Sequence, residues 1–88
     1  MTAENAKNTP YRIQSLERAL DILECFSFQK RELSLSDMIQ MTGLNKTTAK
    51  RITANLVSRG YLQMNPVDKH YKLGMRLFEF GGIVFASL

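Results

Sequence analysis

One cysteine, Cys25, and one histidine, His70, are all that this 88-residue sequence offers toward thiol or imidazole chemistry. A lone thiol cannot form an internal disulfide, and neither a CxxC pair nor a zinc cluster can be assembled, so a reducing cytoplasm fits the composition best. With no second histidine and no acid-base partner next to it in sequence, His70 is not expected to bind a metal or to catalyse. No acid pair, no nucleophile with its base and no phosphate loop is present, so an enzyme is the least favoured class, with no cofactor implied. The start lacks the charged-then-apolar order of a signal peptide. The greasiest stretch, FEFGGIVFASL at the end of the chain, is about half of the roughly 20 residues that span a bilayer, so no membrane partner is expected.

Hydrophobic residues make up 44% and charged residues 23%, the balance of an ordinary globular domain. A chain of this size buries only about 60 to 65% of its unfolded surface, which leaves a modest core. Acidic residues are scarce in one region. Residues 1–45 carry five basic against six acidic side chains, whereas residues 46–76 carry Lys46, Lys50, Arg51, Arg59, Lys69, Lys72 and Arg76 against Asp68 alone. Charge this one-sided points to a polyanionic partner.

The opening MTAENAKNTP is polar and aperiodic, and residues 1–13 are expected to form a flexible tail. In SLERALDILECFSF the apolar Leu16, Ala19, Leu20, Leu23 and Phe26 recur at helical spacing, with Ser15 as the expected N-cap. QKRE at 29–32 is expected to be a loop and LSL at 33–35 a very short strand. A second helix of barely two turns is expected to begin at Ser36 and Asp37 and to end at Gly43, a residue free to take positive φ. Asn45 is a good N-cap for a third helix that Gly60 stops after Arg59. YLQMN and HYKLG then alternate apolar and polar residues on either side of the turn PVDK, which predicts a hairpin. Two helices joined through a short glycine turn, with the first helix in front of them and a hairpin behind, make a mainly α winged helix-turn-helix, a three-helix core plus wing. Residues 14–74 form that domain, and a linker helix is expected over 75–88.

At about 100° per residue, Ala49, Ile52, Thr53 and Leu56 share the buried side of the third helix, and Thr47, Lys50, Arg51, Ala54 and Ser58 face away. Asn45, Lys46, Thr47 and Thr48 crowd the first turn, the part of a recognition helix that enters the major groove. Arg51 is suited to a bidentate contact with guanine, Lys50 to a guanine edge or a phosphate, and Thr47 to a thymine methyl. Lys46 and Thr48 lie to the sides, where phosphate is the natural partner. Lys69, His70 and Lys72 give the hairpin a basic tip suited to backbone or minor groove. Ordinary solvated side chains on an amphipathic helix would look the same one at a time; the joint placement after a glycine turn is what gives the set its specificity.

The segments SLERALDIL at 15–23, LSLSDMIQMTGLNKTTAKRI at 33–52, LVSRGYL at 56–62 and YKLGMRLFEFG at 71–81 together resemble the N-terminal winged helix-turn-helix of IclR-type transcriptional regulators. The resemblance covers about residues 14–88 and implies a bacterial or archaeal repressor or activator that binds near-palindromic double-stranded DNA as a dimer. It puts the helix-turn-helix on Leu35 to Ala54 with Gly43 at the turn, the recognition helix at about 45–59 and the wing at 61–73. Position 45, often proline in that family, is asparagine here. The family's linker helix falls on residues 75–88, and any small-molecule effector would act through a C-terminal domain that this chain does not contain. Leu77, Phe78, Phe80, Ile83, Val84, Phe85 and Leu88 supply more apolar surface than a lone helix can bury on so small a domain, which points to a homodimer interface. The alternative for this segment is a fourth core helix folded back on the domain. The rival to DNA binding is a winged helix used for protein contacts or for RNA.

Overall fold

The structure, a computed structural model, describes residues 9–88. Among them the elements follow in the order α1 (Gln14–Leu23), α2 (Leu35–Thr42), α3 (Lys46–Ser58), β1 (Leu62–Met64), β2 (Tyr71–Leu73) and α4 (Met75–Ala86). This is the mainly helical winged helix-turn-helix with a following helix that the periodicity predicts. Of the tail expected over residues 1–13, residues 1–8 lie outside the described part. The rest leads into α1, with Arg12 placed 3.4 Å from Glu17.

Helix α1 departs from expectation at both ends. Its N-cap is Ile13, with no side-chain cap, and Ser15 sits inside the first turn. The helix closes at Leu23, so Cys25 and Phe26 follow it rather than extend it. The core is centred on Ile22, Cys25, Leu33, Met38 and Leu62, with Leu23, Phe26, Ile52, Leu56 and Tyr71 packed against it. Leu16 and Leu20, assigned to the inner face by their spacing, are exposed. The apolar stripe of α1 is wider than the side the small body covers, so these two lie on its open edge.

The start of α2 is set by Ser34, one residue ahead of the helix and two ahead of the expected Ser36. Ser34 Oγ accepts from the Asp37 N–H at 3.0 Å, and the Asp37 carboxylate accepts from the Ser34 N–H at 2.9 Å. This reciprocal box satisfies two donors that a helix start would otherwise leave open. Because Ser34 turns to that duty, the strand expected over 33–35 shrinks to one bridge: Leu33 donates to the Tyr71 carbonyl at 3.0 Å, and Tyr71 donates back at 2.7 Å. Gly43 ends α2 at φ 76, as expected for a left-handed C-cap.

Asn45 caps α3 by accepting from the Thr48 N–H at 2.8 Å. Ala49 and Thr53 are fully buried, Ile52 and Leu56 are half-buried, and Gly60 leaves the helix at φ 83. The Thr53 hydroxyl avoids isolation in the core by donating to the Lys50 carbonyl at 3.0 Å. In the wing, Leu62 pairs with Leu73, Gln63 with Lys72 and Met64 with Tyr71 in antiparallel register. Gly74 then passes against the backbone of Gly60 and donates to the Tyr61 carbonyl at 2.9 Å. Helix α4 leaves the body there. It contains no buried residue, so the fourth core helix is not what forms. At its base the Arg76 N–H donates to the Gly60 carbonyl at 3.0 Å and Tyr61 stacks on Phe80, with centroids 6.2 Å apart, while within the helix the Arg76 guanidinium lies 4.4 Å from the Phe80 ring centre.

Candidate nucleic-acid interface

The same period that buries Ala49 and Thr53 turns Lys46, Thr47, Lys50, Arg51 and Ala54 outward, where they line one shallow depression along α3. Among the described residues the ion pairs are Arg12–Glu17 and Arg76–Glu79, so no carboxylate of these residues offsets Lys46, Lys50, Arg51, Lys69 or Lys72 at salt-bridge distance. Exposed cations without carboxylate partners are the electrostatic requirement for gripping a polyphosphate. Asn45 Oδ1 is committed to the cap and Thr48 is half-buried, so of the first-turn residues Lys46 and Thr47 stand furthest out.

Lys69, His70 and Lys72 form a separate group on the wing. Its turn is closed by the Asn65 N–H to the His70 carbonyl and by the Lys69 N–H to the Asn65 carbonyl, both 2.9 Å. Lys69 adopts φ 62, an unusual backbone for a residue other than glycine. The site residues singled out by sequence therefore form two patches, a helix face and a hairpin end, rather than one pocket.

Two features escaped the sequence. Arg18 and Ser15 of α1 line a cleft with Thr48, Arg51, Ile52 and Asn55 of α3, which sets an arginine from a second helix beside the reading face. Nothing in the spacing of α1 signals that approach, because it depends on how the helices pack. His70, expected to lack an acidic neighbour, has two: potential ligand atoms of Glu32, Asp68 and His70 all lie within 4.8 Å of one another. The bridge between Leu33 and Tyr71 brings Glu32 to the wing from a distant part of the chain.

Helix-turn-helix, wing and exposed basic face together define a winged-helix DNA-binding module. Comparison with known proteins supplies the family. The model of the IclR helix-turn-helix domain matches residues 15–66, and the chain belongs to the IclR family. It is 42% identical over 76 residues to the HTH-type transcriptional regulator XynR of Escherichia coli, a match that covers 86% of this chain and 30% of that protein. It is 39% identical over 69 residues to the glycerol operon regulatory protein of Streptomyces griseus, covering 78% and 27%. Among solved structures, an IclR family transcriptional regulator from Brucella abortus superimposes with a TM-score of 0.82 at 28% identity, over 92% of this chain and 31% of that one. The chain thus spans under a third of the length of these relatives. What it carries is the helix-turn-helix domain of that family, and the protein-docking and RNA readings are not favoured.

Proposed function

We propose that this module reads an operator sequence by placing α3 in the major groove and the wing on the flanking backbone or minor groove. The observation that carries this reading is the outward face of α3, where Thr47, Lys50 and Arg51 stand exposed and unpaired opposite the buried Ala49 and Thr53. Arg51 makes the bidentate contact to a guanine, Thr47 meets a thymine methyl or base edge, and Lys50 reaches a base or phosphate. Asn45, Lys46, Thr48 and the wing residues Lys69, His70 and Lys72 hold the backbone and set the register. Two copies joined through α4 bind a near-palindromic site in the cytoplasm, and the module works without a catalytic step.

Selection of bound duplexes from a random pool, followed by sequencing, is expected to return an inverted repeat. On the selected site, Arg51→Ala should cost about 1 to 3 kcal/mol and relax the preference at one base pair. Lys69→Ala and Lys72→Ala should weaken all sequences evenly and each lower the salt slope by about one counterion or less. An unchanged ranking of operator variants with Arg51→Ala would remove Arg51 from the reading role.

A further inference from the structure

We propose that Glu32, Asp68 and His70 bind one divalent transition-metal ion, with zinc as the natural occupant, and that the ion fastens the wing to the loop ahead of α2. The donors are an imidazole nitrogen and two carboxylate oxygens, a set that suits zinc, cobalt(II) or nickel(II) and lacks the thiolate that would favour copper(I). They come from two segments held in fixed register. The paired hydrogen bonds between Leu33 and Tyr71 lock the backbones together, and strand alternation places Glu32 and His70 on the face opposite those two core side chains. Asp68 is fixed by its own Oδ1, which accepts from the His70 N–H at 2.9 Å and leaves the other oxygen available.

Their spacing fits an ion better than it fits direct pairing. The three ligand atoms lie within 4.8 Å of one another, yet His70 makes no salt bridge to either carboxylate. Ligands that share an ion at about 2.1 Å sit about 3.5 Å apart, so closing the triangle takes shifts on the order of 1 Å at the ends of exposed side chains. Open coordination positions would be filled by water. Charge supports the same assignment: a dication offsets the two carboxylates and leaves neighbouring Lys69 and Lys72 as net positive charge. Asp68 is also the sole acidic residue between positions 46 and 76. An uncompensated carboxylate on a hairpin that faces phosphate would repel it, a point that rests on the DNA-binding reading, whereas the donor geometry does not.

The single histidine makes the test direct, because its ring protons give one resolved set of signals. Cobalt(II) added to the tag-free, metal-free protein should shift or broaden those signals with saturation at one equivalent, and zinc should displace it. His70→Ala should abolish binding by calorimetry, while Glu32→Gln and Asp68→Asn should each weaken it about tenfold or more. Cys25→Ser should bind as the parent does, and the amide spectrum of the hairpin reports that each variant stays folded. Ring signals untouched at several equivalents of cobalt would overturn the site. So would Glu32→Gln binding as tightly as the parent, since the ion would then not bridge the two segments. No DNA enters these measurements, so their outcome is separate from that of the operator experiments.

Discussion

Cys25 donates its thiol to the Asp21 carbonyl at 3.3 Å and is only 7% exposed. Burial, and then the nearby Asp21 carboxylate, push its pKa up, while Lys30 pulls weakly the other way. A thiol held protonated and covered is a poor nucleophile. Native protein should therefore react slowly with a thiol reagent and at the rate of a free thiol once denatured; fast native labelling with loss of DNA binding would make it a redox switch instead. Gly74 is constrained in a different way. A Cβ there would run into the Gly60 carbonyl, at the point where the chain leaves the wing for α4. Gly74→Ala forces those backbones apart and should cost about 1 to 3 kcal/mol in denaturant unfolding, the range for overpacking a tight site. Gly81→Ala, with open space around its Cβ position, should be neutral or stabilising and serves as the control.

At the level of elements, the sequence was most legible where a local signal and the packing agree. Asn45, Gly60 and the alternation on either side of PVDK set the bounds of α3 and of the wing, and Gly43 closes α2, all through interactions within a few residues. The start of α2 is set by Ser34 rather than by the expected Ser36, because both are plausible caps and only the partner three residues on, Asp37, decides between them. The buried face of α1 differs from the periodic one for another reason: period alone does not tell how much of an apolar stripe a small body covers, and Ile22 rather than Leu16 or Leu20 is the core residue. The cleft holding Arg18 and the approach of Glu32 to His70 are products of tertiary contact, invisible to any local pattern.

The α2 cap also has a pH signature. Its hydrogen bonds, the Ser34 backbone N–H first and the Ser34 side chain second, hold the Asp37 carboxyl below the usual carboxylate range. A depressed folded pKa means that the ionised form stabilises the fold above the unfolded pKa, and that this contribution fades as pH falls through the folded one. Asp37→Asn should therefore narrow the stability difference between neutral and acidic pH, with the two proteins converging below the folded pKa. Ser34→Ala, which removes the other half of the box, should cost about 1 kcal/mol at neutral pH.

For the whole molecule, the choice of partner turns on two uncovered apolar surfaces. Phe78, Phe85 and Ile83 of α4 are 75%, 77% and 59% exposed, Val84 and Leu88 are open as well, and Leu77 is half-buried at the base of the helix. Tyr11 and Ile13 just ahead of α1, and Leu16 and Leu20 within it, are exposed apolar residues as well. Surface of this kind is costly to leave in water, and the cover that fits the proposed inverted-repeat site is a second copy related by a two-fold axis. The domain measures 38 Å along its longest axis. Two such bodies side by side can present their α3 helices about 34 Å apart, one turn of DNA. Sedimentation at micromolar concentration should therefore show a dimer, and Phe78→Glu, which places charge in the proposed seam, should give a monomer with an unchanged helical spectrum and only weak binding to half-sites. Removing residues 75–88 should likewise dissociate the dimer. A full chain that sediments as a monomer, and whose state does not change on that truncation, would sink the α4 interface and return the apolar surface of α1 and α4 to some other partner.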